Sequence, residues 1–134
     1  MTTQKPSPHA DGESQPYWEG ANREKLVLQK CRGCGAIRHY AQVTCATCYS
    51  TVSDSVTATG AGTIHSWTIS HHAFHPGFAD DLPYALVTVD LAEGVRALGR
   101  LDGMSFDDLK VGLAVQATFP KGDDGFGRLT FVPA

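Results

Sequence analysis

"KCRGCGAIRHYAQVTCATCYS", residues 30–50, holds all four cysteines of a 134-residue chain, set as two C-x-x-C pairs with ten residues between them. Redox dithiols, disulfide staples and metal clips all use such pairs. A thioredoxin-type dithiol wants a single pair opening a helix inside a βαβ unit, whereas these pairs are doubled and lie in turn-rich sequence. Staples belong to oxidising compartments. The N-terminal "MTTQKPSPHADGESQ" lacks the apolar segment of a secretory signal, and no stretch approaches the roughly 20 apolar residues of a membrane span. We therefore expect a cytoplasmic protein with reduced thiols and no membrane association, and read the motif as a clip.

The expected ligands are Cys31, Cys34, Cys45 and Cys48, four thiolates around one ion. A tetrahedral sulfur set suits zinc, with the iron of a rubredoxin-like electron carrier as the alternative. Four protein ligands leave no coordination position for water or substrate, so the ion is expected to brace the fold. Gly35, directly after the first pair, relieves the left-handed backbone such knuckles use; Tyr49 stands in the matching place after the second, which predicts a less ideal knuckle.

Outward from the cysteines, the chain divides by composition. Residues 1–15 carry Pro, Ser, Gly, Asp and His with almost nothing apolar, and are expected to form a disordered leader. Residues 16–52 are expected to hold a short helix and the ribbon: Ser14 caps the helix, Pro16 sits in its first turn, Tyr17, Trp18 and Ala21 share one side, and it stops near Asn22. "KLVLQKC" then enters the first knuckle as an extended run.

Residues 53–134 read as β structure. A strand is expected over 62–71 within "GAGTIHSWTISHH", followed by a loop, "HPGFADDLP". "YALVTVDLAEGVRALGRLDG" predicts a hairpin turning at Gly94. "SFDDLK" predicts one helical turn capped by Ser105, and "LAVQATF" and "RLTFV" are two further strands. The fold class is thus mainly β: an N-terminal short helix and zinc ribbon followed by a five-stranded OB-fold barrel.

The order of pieces resembles a known family. "YWEG", "KLVLQKC", the knuckles "CRGCG" and "CATCYS", "ATGAGTIHSWTI", "PYALVTVDLAEGVR", "VGLAVQATF" and "LTFVPA" together are similar to the DUF35 family, acyl-CoA-associated OB-fold proteins with an N-terminal rubredoxin-like zinc ribbon. The resemblance runs over about 17–133. It implies a non-catalytic accessory subunit whose partner is a thiolase-like, aldolase-like or hydratase-like acyl-CoA enzyme and carries the catalytic residues. Acyl-CoA contact with this chain and homodimerisation are left open by it.

The remaining chemistry-bearing residues fit that expectation. There is no Ser-His-Asp pattern, no cysteine outside the cluster and no Gly-rich phosphate loop, so no catalytic residue is assigned. His71, His72 and His75 are read as solvated loop histidines, and Asp80, Asp81, Asp90 and Glu93 as charges at turns and strand ends. Trp67, Phe78 and Tyr84 flank the long loop after the first barrel strand, a surface that faces ligands on OB barrels. Arg96 and Arg100 lie four apart on one strand, hence on one face. These five form the candidate ligand or partner surface.

The alternative function is a single-stranded nucleic-acid module, because OB barrels also bind strands through aromatic platforms and basic grooves. With 11 Lys+Arg against 14 Asp+Glu and a formal charge of −3, the chain lacks the basic footprint that such binding uses.

Overall fold

The computed structural model describes residues 4–134. Its first regular elements are a 3-10 turn, Gly12–Ser14, and helix α1, Gln15–Asn22. Ser14 stands at the cap position with Pro16 in the first turn, as the sequence suggests. The Ser14 hydroxyl, however, donates backward to the Asp11 carbonyl at 2.8 Å and caps no helical N–H. Tyr17, Gly20 and Ala21 face inward.

Three short strands form the ribbon sheet: β1 (Leu26–Cys31), β2 (Ile37–Arg38) and β3 (Ser53–Ala58), in the order β2-β1-β3 with antiparallel pairing. β3 had no counterpart in the sequence reading. It carries little apolar alternation, and it is specified by a six-residue register with β1, from Leu26↔Ala58 to Cys31↔Ser53.

The second sheet is a closed five-stranded barrel. Its strands are β4 (Ala61–Ser70), β5 (Tyr84–Leu91), β6 (Arg96–Leu101), β7 (Ala114–Thr118) and β8 (Thr130–Pro133), in the order β4-β5-β6-β8-β7. All five strands expected from the sequence are present. β5 and β6 form the predicted hairpin, with Gly94 at φ 82° where a side chain would be strained. Ser105 accepts from the Asp107 N–H and caps the 3-10 turn Phe106–Asp108. Closure comes from the parallel pair β6–β8 and the antiparallel pair β4–β7.

The loop expected at "HPGFADDLP" contains a 3-10 turn, Pro76–Asp81, started by His75, whose Nδ1 accepts from the Gly77 N–H at 3.0 Å. Of the expected disordered leader, residues 1–3 lie outside the described residues. Residues 4–11 have no regular secondary structure but lie against the barrel: Ser7 donates to Asp124 at 2.6 Å, and Lys5 reaches Asp81 at 3.3 Å.

One continuous core joins ribbon and barrel. Tyr17, Ala21, Leu26 and Leu28 from the helix and ribbon pack in the same cluster as Ile64, Val87, Val89, Val115 and Phe131 from the barrel. The segment between β3 and β4 is pinned by polar contacts. The Thr59 N–H donates to Glu93 Oε2 at 3.0 Å, the Thr59 carbonyl accepts from the Gln116 amide at 3.0 Å, and the Ala117 N–H donates to the Gly60 carbonyl at 2.9 Å. Glu93 thus fastens the connection between ribbon and barrel to the β5–β6 turn. Asn22 adds a second tie, its Oδ1 accepting from the Gly127 N–H at 2.8 Å.

Candidate functional site

The two knuckles are built alike. Gly35 N–H donates to the Cys31 carbonyl at 2.9 Å, and Tyr49 N–H to the Cys45 carbonyl at 3.0 Å. Both turn residues are left-handed, Gly35 at φ 78° and Tyr49 at φ 63°. The second knuckle thus reaches the geometry of the first with a bulky residue where glycine is preferred, at a cost of about 1–2 kcal/mol.

These turns bring the four Sγ atoms within 4.8 Å of one another, with Cys31 and Cys48 3.5 Å apart and Cys34 and Cys45 3.7 Å apart. A tetrahedron with zinc–sulfur bonds of about 2.3 Å has sulfur–sulfur edges of about 3.8 Å. The donor set therefore fits one zinc ion. Cys31 and Cys45 are buried, while Cys34 and Cys48 face outward.

Main-chain donors tune the sulfurs. The Cys34 N–H pulls the Cys31 thiol down to about 6. Gly33 N–H adds to this at 3.3 Å. The Cys45 thiol is likewise lowered, first by the Cys48 N–H and then by Thr47 N–H at 3.4 Å. Such bonds favour the thiolate at Cys31 and Cys45, whereas at Cys48 the pull of the Ser50 N–H is outweighed by the Cys31 sulfur, desolvation and the other two sulfurs together, which push the thiol up to about 11. When bound, zinc supplies no reaction step; with four protein ligands it cross-links the knuckles.

The five candidate surface residues do not form one site. Phe78, Tyr84 and Arg100 converge. Phe78 and Tyr84 rings lie 6.2 Å apart, and the Arg100 guanidinium stands 5.0 Å over the Tyr84 ring. Arg100 Nη1 also binds Asp81 Oδ2 at 2.8 Å, which holds the Asp81 carboxyl below the usual carboxylate range; Lys5 contributes to the same shift. Lys5 lies 5.7 Å over Phe78, so the leader reaches this cluster.

Arg96 shares the outer face of β6 with Arg100 but is tied to Asp90 at 2.8 Å. Its neighbours are Trp18, Tyr40 and Leu98, lining a shallow depression between helix α1 and the barrel. Trp67 lies in β4, is 36% exposed, and makes no ring contact among the described residues. Phe74, more exposed than any of the five, packs only on His72 at 4.7 Å between ring centroids among the described aromatic pairs. His71, His72 and His75 gather no metal-binding group; the cysteine cluster is the sole such group among the described residues.

Sequence reasoning passed over an aromatic cluster at the junction of ribbon and barrel. Tyr17 touches Trp18 and Tyr40 with ring centroids 5.0 Å away and His39 at 5.5 Å; Trp18 meets Phe126 at 5.8 Å and donates to the Tyr40 hydroxyl at 2.9 Å. Burial raises the Tyr17 phenol well above its ordinary value, Tyr40 adding to this, and burial lowers His39. The aromatic spacing over 17–18 and 39–40 was the available signal.

Known proteins match this architecture piece by piece. The model of the ChsH2 rubredoxin-like zinc ribbon domain matches residues 18–53, and that of the ChsH2 C-terminal OB-fold domain matches residues 55–120. A solved chain described as "Ltp2-ChsH2(DUF35) aldolase" superposes with a TM-score of 0.83 at 31% identity, covering 95% of this chain and 98% of that one. A probable enoyl-CoA hydratase alpha subunit of Thermomonospora curvata is 32% identical over 97% of this chain, which spans only 40% of that protein. A DUF35 domain-containing scaffold protein of Methanocaldococcus jannaschii is 27% identical over 75% of this chain and 74% of its own length. A four-cysteine knuckle pair on a ribbon, continued into a closed OB barrel and matched along nearly its whole length, makes this chain a member of the DUF35 family.

Proposed function

We propose that this protein is a non-catalytic accessory subunit that binds an acyl-CoA-handling enzyme of thiolase-like, aldolase-like or hydratase-like type in the cytoplasm. The observation that carries this reading is the end-to-end match to the DUF35 chain of an aldolase, supported by relatives described as a scaffold protein and as a hydratase alpha subunit.

The chemistry of the chain supports it. All four thiols are drawn into the metal centre, leaving none as a nucleophile. Asp81, Asp90 and Asp124 are each ion-paired to an arginine and held as carboxylates, the wrong state for a general acid. The Phe78 and Tyr84 rings, with the Asp81-paired Arg100 guanidinium stacked on Tyr84, offer a flat surface that suits the adenine of an acyl-CoA held mainly by the partner. A nucleic-acid role is less well served, because Arg96 and Arg100 already face Asp90 and Asp81.

The test is to purify the chain alone and with candidate thiolase-, aldolase- or hydratase-type acyl-CoA enzymes of the same organism. We expect a stable complex on size exclusion and no thioester turnover by the isolated chain. Turnover by the isolated chain, or no complex with any such enzyme, overturns the reading.

A further inference from the structure

β3 is the open edge of the ribbon sheet, and its pattern of hydrogen bonds is fixed by its neighbours. Arg32 N–H donates to the Val52 carbonyl at 3.0 Å, and Cys31 N–H donates to Ala36 on the opposite side at 2.8 Å. Bonded pairs alternate along an antiparallel ladder. With the register Lys30↔Asp54, Leu28↔Val56 and Leu26↔Ala58, those residues of β3 spend their main-chain groups on β1. Ser53, Ser55 and Thr57 therefore turn their N–H and C=O groups away from the sheet. Among the described residues no partner takes these groups, and Ser55 and Thr57 are exposed.

The barrel is closed and offers no such edge. At the other side of the ribbon sheet, β2 is two residues long, and Arg38 on it is occupied with Gln29 and the Gln42 carbonyl. β3 has neither Pro nor a bulge to blunt it.

A cavity of about 330 Å³ opens beside this edge. It is walled by Gln29 and Arg38 of the sheet, by Ser53 and Ser55 of the edge strand, and by Glu13 and Pro16 around the start of helix α1, with Glu13 outside ion-pair reach of Arg38. Paired residues of an antiparallel sheet share a face, so Ser53 and Ser55 stand on the side of Gln29, toward the cavity. Arg38 has no carboxylate in ion-pair reach among the described residues, and its Nη1 has no acceptor; Asp54 is neutralised by Arg32 at 2.8 Å.

We propose that residues 53–57 accept an extended segment of the partner subunit as an added strand, with one of its side chains, of acceptor character, entering the cavity beside Arg38. Main-chain bonds to Ser53, Ser55 and Thr57 supply the affinity and the cavity supplies selection. A second copy of this chain is the poorer occupant: pairing through its own β3 would set only its Ser53, Ser55 and Thr57 on the cavity side, short side chains with no carboxylate to offer Arg38. Three outward residues cover far less than the roughly 1,200 Å² of a stable interface, so the edge is one element of a larger docking surface for the partner. This inference rests on the accessory-subunit reading and identifies where that subunit is gripped.

The test uses the full chain, zinc-loaded, with the acyl-CoA enzyme that forms the complex proposed above. Amide hydrogen exchange at Ser53, Ser55 and Thr57 is expected to slow in the complex. Ser55→Pro removes an N–H that points outward, so the β1 ladder, zinc content and melting are retained, while binding weakens about tenfold or more; Ser55→Ala, which keeps the N–H, binds as wild type. A complex in which those amides stay unprotected and Ser55→Pro binds normally overturns the inference and leaves the accessory role standing. Protection of the same amides in the isolated, concentrated chain assigns the edge to a second copy and also overturns it. Absence of any complex overturns both.

Discussion

The ribbon and the barrel solve the same problem by opposite means. The barrel buries Ile64, Val87, Val89, Val115 and Phe131 almost completely and closes on itself. The ribbon has Leu26 and Leu28 on one side of a three-stranded sheet and four sulfurs at its tip. A sheet of that size cannot offset the entropy of ordering its loops by burial alone, so a metal must supply what area does not. The cysteine cluster, conspicuous in the sequence, is thus structural support for the ribbon strands beside it.

The sharpest break is at the metal. Cys45→Ser is expected to lose the ion and unfold residues 30–52, because metal binding of about 10–16 kcal/mol in small zinc modules is folding free energy. Metal analysis should fall from one zinc per chain to none, and amide spectra should lose the ribbon signals while β5 and β6 persist. Retained zinc with unchanged melting would contradict the account. The converse break is Phe131→Ala, which empties a fully buried site against Gly99 and should cost about 3–5 kcal/mol in denaturant unfolding, with zinc still bound in the folded chain.

Smaller changes sharpen the contrast at the seam and inside the ribbon. Asn22→Ala leaves the Gly127 N–H without its acceptor and should lower stability by about 1–2 kcal/mol, loosening helix against barrel with no loss of metal. Tyr49→Gly should stabilise the ribbon by about 1 kcal/mol, read as a higher melting temperature, because the left-handed backbone at φ 63° then carries no side-chain penalty. A fall in melting temperature would show that the exposed Tyr49 ring makes a contact worth more than the strain.

The smallest effect is on pH. Asp124 is held below the usual carboxylate range, first by Arg128 and then by Ser7, and Asp81 by Arg100 and Lys5. A carboxyl lowered in the folded state adds stability that is full above its ordinary value near 4 and fades as pH falls below it. Acidification well below about pH 4 should therefore free Lys5 and then Ser7 from their carboxylates before the barrel melts, seen as faster exchange at the leader with barrel amides unchanged.

Much of this was legible in the sequence, for identifiable reasons. Cysteine spacing is a covalent-scale constraint, so Cys31, Cys34, Cys45 and Cys48 could be assigned without a fold. The barrel strands alternate or carry β-branched runs and are set off by turn residues, and Gly94 announces the β5–β6 hairpin. β3 escaped because Ser53–Ala58 carries mostly small polar side chains; its position is dictated by β1. The contacts of Lys5 with Asp81 and Ser7 with Asp124 are polar side-chain contacts with no apolar anchor, so the leader's composition does not announce them. Phe78, Tyr84 and Arg100 were chosen from composition along a loop and a strand, and their meeting depends on the 3-10 turn Pro76–Asp81 that folds the loop back.

The proposal tested most directly is that this chain assembles with an acyl-CoA enzyme as its non-catalytic subunit. The most direct measurement is acyl-CoA turnover as the zinc-loaded chain is titrated into the acyl-CoA enzyme of the same organism that binds it. The account predicts turnover that saturates at a fixed stoichiometry, with none from this chain alone and weaker support from Ser55→Pro. Thioester turnover by the isolated chain, or a rate indifferent to its addition together with no complex, would contradict it.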